Sequence, residues 1–162
     1  MVSTDEPNVS VQDGEQVSQG FDLDIAGQLR EDVSLYLSYA YTDTEVTDSG
    51  TGNTEGNAFA GIPKNKLVAW SQWDLSPRWS LAYGLDYQSD SPGDGNNSFD
   101  TPARALHELQ LQSSWPLDGM IVNADIAVKN LTDEVWYQNN TSAFFIKRGE
   151  PRGVYLSLAA EF

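Results

Sequence analysis

The sequence predicts an all-β chain: an antiparallel up-and-down transmembrane β-barrel segment of about seven long strands, with an eighth if one lies within residues 1–15. Three observations carry this. Seven stretches of about ten residues alternate apolar and polar side chains with the period of two that a pleated strand imposes. The connections between them alternate short and long. Aromatic residues gather at the strand ends. No stretch has helical periodicity.

Residues 1–19 are polar. Val9 and Val11 alternate weakly, and Pro7 and Asp13-Gly14 limit any strand there. This segment is expected to be a polar extracellular-side stretch or the remnant of a preceding strand, with residues 20–162 forming the barrel strands. The first strand, about 20–29, sets Phe21, Leu23, Ile25 and Leu29 against Asp22, Asp24, Ala26 and Gln28. Arg30-Glu31-Asp32 turns the chain. The second, about 33–44, puts Val33, Leu35, Leu37, Tyr39 and Tyr41 on one face. A loop rich in Gly, Thr, Asn and acid fills 45–60.

The third strand, about 62–75, alternates less cleanly, with Leu67, Ala69, Ser71, Trp73 and Leu75 on one side. After the Ser76-Pro77-Arg78 turn the fourth, 79–88, has the clearest pattern: Trp79, Leu81, Tyr83, Leu85 and Tyr87 oppose Ser80, Ala82, Gly84, Asp86 and Gln88. A second long loop covers 89–102. The fifth strand, about 104–115, aligns His107, Leu109, Leu111, Ser113 and Trp115. Pro116-Leu117-Asp118-Gly119 leads tightly into the sixth, 120–130, with Met120, Val122, Ala124, Ile126 and Val128 on one face. A third long connection, 131–146, ends in the apolar Ala143-Phe144-Phe145-Ile146. The last strand follows Gly-Glu-Pro-Arg-Gly and aligns Val154, Leu156, Leu158, Ala160 and Phe162.

Composition narrows the function. The formal net charge is −15, from 24 acidic and 9 basic residues. That argues against nucleic acid as a partner, because phosphate binding needs a basic face. There is no cysteine, so disulfides and thiolate metal sites are excluded. No run approaches the roughly 20 apolar residues of a membrane helix, but a barrel strand needs apolar residues only at alternate positions. The N-terminal MVSTDEPNVS has no apolar core. The expectation is a signal removed, or a chain that begins partway through a longer protein.

Alternating faces fit two architectures. In a β-sandwich the apolar face looks into a core; in an outer-membrane barrel it looks at lipid and the polar face lines a wet lumen. Strand length favours the barrel, since a tilted membrane strand needs about 9–11 residues and sandwich strands average nearer 5–6. Loops sorted by length onto two sides match periplasmic turns and extracellular loops. Trp79 and Tyr87 share a face about 26 Å apart along the strand, or about 20 Å along the membrane normal after tilting. Trp73, Trp79 and Trp115 fall at short-turn ends and Tyr41 and Tyr87 at long-loop ends, as membrane girdles would. Parity then bears on completeness. An even strand number requires an eighth strand in residues 1–15, or membership of a larger barrel.

Five local motifs, in order, resemble the C-terminal barrel region of TonB-dependent outer-membrane receptors of the ferric siderophore type. They are GEQVSQGFDLDIAG at Gly14–Gly27, YAYTDT at Tyr39–Thr44, GIPKN at Gly61–Asn65, KNLTDEVW at Lys129–Trp136, and GEPR at Gly149–Arg152 with the terminal Phe162. The resemblance implies an outer-membrane location and a 22-stranded barrel closed by a plug. It implies import of a scarce ligand, most often a ferric siderophore, powered by an inner-membrane complex, and no enzymatic activity or cofactor. The plug, the partner-binding box and about two-thirds of those strands are absent from these residues. The implied partners are outer-membrane lipid, the remaining barrel and plug, and the barrel-assembly machinery, which would read Phe162 as an assembly signal.

Trp136, Tyr137, Arg148 and Arg152 flank the third long loop. Aromatics and arginines at an outer mouth can hold an anionic chelate; the same residues also serve as girdle and turn residues. His107 is the only histidine and lacks companions for a metal site. Asp43, Glu45, Asp48 and Glu55, and Asp90, Asp94 and Asp100, have no EF-hand spacing and read as solvated loop charge. Asp22 and Asp24 share a face and read as wall-lining charges. No catalytic set, phosphate-binding loop or metal cluster is present in the motifs. Two alternatives remain at this level: an autonomous eight-stranded outer-membrane barrel with a structural or adhesive role, and a soluble acidic β-sandwich that binds carbohydrate or Ca²⁺.

Overall fold

The computed structural model describes residues 14–50, 52–138 and 140–162. Nine strands follow one another among the described residues: β1 (Glu15–Arg30), β2 (Val33–Asp48), β3 (Asn65–Ser76), β4 (Trp79–Gln88), β5 (Ser91–Pro92), β6 (Asp100–Thr101), β7 (Arg104–Leu117), β8 (Met120–Lys129) and β9 (Gly153–Glu161). No helix occurs among the described residues.

The seven long strands form one antiparallel sheet in the order β1-β2-β3-β4-β7-β8-β9, each paired with its sequence neighbour. This is an up-and-down meander. The sheet is open, since β1 pairs only with β2 and β9 only with β8. The second sheet is the two-residue ladder β5–β6 inside the second long loop. The apolar face therefore has no sheet to pack against, which removes the sandwich alternative.

Register joins the alternating strands into two continuous faces, because directly paired residues project to the same side. One row runs Ile25–Leu37–Ala69–Leu85–His107, and another runs Trp73–Leu81–Leu111–Ile126–Leu156. The opposite face carries Asp24–Ser38–Val68–Asp86 and Gln72–Ala82–Gln110–Ala127. A one-residue slip anywhere would invert a strand, so the agreement across six ladders specifies the register strongly. The apolar face is exposed: Leu156 and Leu158 are each 68% accessible, and Leu29, Leu75 and Val154 are also bare. An uncovered apolar surface of this breadth is what a lipid-facing wall presents.

Several boundaries differ from expectation for identifiable reasons. β1 begins at Glu15 rather than near 20, and β2 runs to Asp48 rather than 44, because Gln16–Gly20 pair with Thr42–Val46. That extension carries only Val17 and Val46 among polar residues and so shows no sustained alternation. The polar stretch expected over residues 1–19 lies outside the described residues for 1–13, and so does the eighth strand considered there, except for the start of β1. β3 starts at Asn65, after Pro63, which cannot donate to a ladder, and Gly61 at φ 76°. β7 continues through Leu117, so the turn is the two-residue Asp118-Gly119, both at positive φ. That is the Asp-Gly hairpin whose twist matches its strands. β8 stops at Lys129 because Asn130 adopts φ 49°.

Candidate ligand mouth at the long-loop end

The described buried residues lie mostly at the long-loop end: Thr44, Val46, Gln88, Ser89, Ser91, Thr101, Asn130 and Asn140. They are mainly polar, so hydrogen bonds rather than a hydrophobic core organise this end. The first and second long loops are knitted together. Asn97, in the left-handed region at φ 52°, accepts from the Ala58 N–H and donates to the Ala58 carbonyl, both at 2.9 Å. Its amide imitates a strand edge. Asn57 Nδ2 donates to the Gly95 carbonyl at 3.0 Å, and the Gly61 N–H to the Pro92 carbonyl at 2.7 Å. The third loop joins through Asn140 Nδ2, 3.2 Å from Thr101 Oγ1. Within the second loop Asp94 accepts from the Ser98 hydroxyl, the Ser98 N–H and the Asn96 N–H. The Ser98 hydroxyl and these backbone donors hold its carboxyl below the usual carboxylate range.

The third loop is organised by Asn130. Its amide donates to the Glu134 carbonyl at 2.9 Å and the Glu150 carbonyl at 3.2 Å, and accepts from the Glu134 N–H at 2.9 Å. One buried side chain thus ties the start of the loop to its end. Between them the loop returns as a narrow hairpin, with a bridge from Tyr137 to Arg148 and the Gly149 N–H donating to the Trp136 carbonyl at 2.9 Å.

Trp136 lies flat against Gly149, where an added Cβ would sit 1.9 Å from the indole. Its Nε1 donates to the Glu150 carbonyl at 3.0 Å. Over its ring, 4.3 Å from the centroid, sits the guanidinium of Arg104. Arg104 is on the polar face, paired with Gln88. Its Nη2 reaches Gln88 Oε1 at 3.3 Å and Asp86 Oδ2 at 3.6 Å, and its side chain is only 15% exposed. A guanidinium held this way, by stacking and by a carboxylate, is pre-organised rather than mobile. Beside it, a cavity of about 180 Å³ is lined by Trp70, Asp86, Glu108, Lys129, Trp136 and Glu150 among others. Trp70 stacks over Gly84, whose Cβ would meet the ring at 2.7 Å.

The four residues expected at the mouth share one loop but are not clustered. Trp136 turns toward Arg104. Tyr137 and the exposed Arg148 sit on the hairpin. Arg152 closes the loop: its N–H donates to Asp133 Oδ1 at 3.0 Å, and its guanidinium lies 3.8 Å from Asp133 Oδ2 and 3.4 Å from the Leu131 carbonyl. Sequence reasoning missed Arg104 and Asn130. The apolar-face alternation draws attention away from Arg104, which opens β7 on the other face. Asn130 was visible within KNLTDEVW only as part of a motif.

The girdle candidates lie on the apolar face. Trp79 and Trp115 meet edge to face, centroids 6.0 Å apart, at the short-turn end, and Trp73 pairs with Val33 and Leu81. At the other end Tyr41 stacks on Phe21 at 5.8 Å, and Tyr87 pairs with Leu67 and Ala105. Phe162 follows the last residue of β9 and is 97% exposed. The His107 ring meets the Tyr83 hydroxyl, 2.6 Å from Nδ1, also on the apolar face. No group of three or more metal-ligating side chains occurs among the described residues.

Comparison with known proteins gives a consistent set. A family model described as TonB dependent receptor-like, beta-barrel matches residues 2–131. The metal-pseudopaline receptor CntO of Pseudomonas aeruginosa is 29% identical over 154 residues, covering 92% of this chain and 21% of its own length. The ferric-pyoverdine M114 receptor PbuA of Pseudomonas sp. is 24% identical, covering 98% of this chain and 20% of its own. Among solved structures, the ferric preacinetobactin receptor BauA of Acinetobacter baumannii superposes with a TM-score of 0.82 at 24% identity, covering 93% of this chain and 22% of BauA. The chain thus spans about one fifth of the length of the curated relatives it matches.

Proposed function

We propose a function from one premise: the chain belongs to the TonB dependent receptor-like β-barrel family, and its strands form part of a bacterial outer-membrane barrel wall. Its seven strands make one arc of a receptor that imports a metal chelate, with a ferric siderophore as the cargo class. The observation that carries this is the two-faced sheet. A bare apolar face backs onto a polar one, and the polar face ends at a rim where Arg104 is stacked on Trp136. An anionic chelate would meet the exposed Tyr137 ring and the Arg148 guanidinium there, on a loop that Trp136, clamped between Gly149 and Arg104, holds in place.

In this reading Trp136, Tyr137, Arg148 and Arg152 face the mouth, with Arg104 holding Trp136 in place. Trp73, Trp79, Trp115, Tyr41 and Tyr87 mark the bilayer interfaces, and Phe162 is the signal for the assembly machinery. The polar face carries a hollow of about 610 Å³ near the short-turn end, lined by Ser80, Gln112, Ser114, Asn123, Asp125 and Ser157 among others. Such a wall suits a plug held by hydrogen bonds, through which an inner-membrane complex acts. The cargo is moved, not chemically altered. The autonomous eight-stranded barrel is less well supported, because both edges of the described sheet carry unpaired backbone groups over long strands.

The test is growth of a receptor-deficient strain under iron limitation, complemented with the whole receptor. Pseudopaline–metal, ferric pyoverdine and ferrioxamine B would each be supplied as sole source. Support for one chelate, lost by about tenfold or more on Trp136→Ala, is expected. Uptake of no metal chelate would refute the reading.

A further inference from the structure

Two of the nine basic residues, Arg30 and Arg78, lie at the short-turn end. Arg30 is neutralised by Asp32, to which its guanidinium donates at 3.0 and 2.9 Å. Arg78 enters no ion pair among the described residues. Its guanidinium lies instead over the Trp115 ring, 4.9 Å from the centroid. Trp115 in turn meets Trp79 at 88°. The placement follows from register. Trp79, the first residue of β4, pairs with Ser113, whereas β7 runs on to Leu117, so Trp115 lies beyond the end of β4. The Ser114 N–H donates to the Arg78 carbonyl at 3.0 Å, which brings Arg78 to that uncovered step.

The consequence is an exposed cation at the turn between the polar-face hollow, which Arg78 and Trp79 also line, and the apolar band; its N–H fork has no carboxylate partner among the described residues, and it is held by an aromatic face. Tryptophan pairs settle at headgroup depth, and a guanidinium fork matches a phosphate. Directly above, Leu81 and Leu111 pair side by side on the apolar face. We propose that Arg78, Trp79 and Trp115 form a binding site for one phospholipid of the leaflet at the short-turn side. The guanidinium grips the phosphodiester, and the acyl chains lie along Leu81 and Leu111. The proposal stands on the membrane placement of the sheet and is independent of which chelate is carried.

The experiment is native mass spectrometry of the whole receptor, delipidated in mild detergent and titrated with dioleoylphosphatidylglycerol. Correct assembly is checked by heat-modifiable gel mobility. The wild type is expected to retain one phospholipid that Arg78→Ala binds about tenfold more weakly. Arg78→Lys, which keeps charge without the fork, and Trp115→Phe should fall between. If Arg78→Ala does not assemble, these two variants supply the comparison. Equal retention by wild type and variants would overturn the proposal. So would displacement of the lipid by an equal concentration of inorganic phosphate, which would make the site a simple anion site.

Discussion

Leu109 and Gln110 are neighbours in β7 whose substitution by arginine should have opposite consequences. Leu109 pairs with Tyr83 and Val128 on the apolar face, and Tyr83 is midway between Trp79 and Tyr87. Four residues separate it from each ring, about 13 Å along the strand and about 9 Å along the membrane normal. Leu109→Arg therefore puts a cation near the bilayer midplane, at a cost of about 2–4 kcal/mol, or roughly 30- to 1,000-fold in the folding equilibrium. Gln110 points the other way and donates to Asp125 Oδ1 at 2.8 Å. Gln110→Arg keeps a donor for that carboxylate on the wet side and should change stability by no more than about 0.5 kcal/mol. The assay is urea unfolding of the whole receptor in lipid vesicles, with the outer-membrane yield of heat-modifiable protein as a second readout. Equal losses from both variants, or a greater loss from Gln110→Arg, would refute the assignment of faces.

Three further outcomes follow from the loops. Gly149→Ala would drive a methyl into the Trp136 ring. The ring must then leave Arg104 and the Glu150 carbonyl, which should weaken binding of the receptor's chelate about tenfold, measured by equilibrium titration. Asn130→Ala removes three hydrogen bonds and leaves a left-handed backbone without its amide. It should cost about 2–4 kcal/mol locally, seen as faster proteolysis within residues 131–152. The Asp94 carboxyl is held low by Ser98 and Asn96, so its contribution is present above the ordinary Asp pKa of 3.8 and disappears as pH falls through its lower folded value. Protease protection of the second loop should persist through mildly acidic pH and fall only in stronger acid, and Asp94→Asn should flatten that dependence.

The membrane-facing part of the fold was legible in the sequence because lipid on one side and water on the other force a period of two. Trp79–Gln88 came out residue for residue, and every apolar row expected from alternation joins its neighbours in register. Legibility ended where both faces become wet. Gln16–Gly20 and Thr42–Val46 form a paired ribbon whose only apolar side chains are Val17 and Val46, so the pattern falls silent there. The ladder of Ser91-Pro92 with Asp100-Thr101 is similarly invisible, being two residues long and containing a proline. The candidate site was legible only in kind. Trp136 could be singled out as an aromatic in a loop, but its orientation depends on Gly149 beneath it and on Arg104, 32 positions earlier in the chain, above it. Contacts of that range have no local signature.

In the proposed receptor wall the odd-numbered residues of Trp79–Tyr87 face lipid and the even-numbered ones a wet lumen. This chain has no cysteine. Spin labels can therefore be placed one at a time at positions 79 to 88 of the whole receptor in vesicles, once any other cysteines are removed. Collision with oxygen, which partitions into lipid, would be compared with collision with a water-soluble nickel chelate. The expected result is an alternation with a period of two, oxygen favoured at 81, 83 and 85 and nickel at 80, 82 and 86, with Gly84 left unlabelled because Trp70 stacks on it. An inverted alternation, or none, would contradict it.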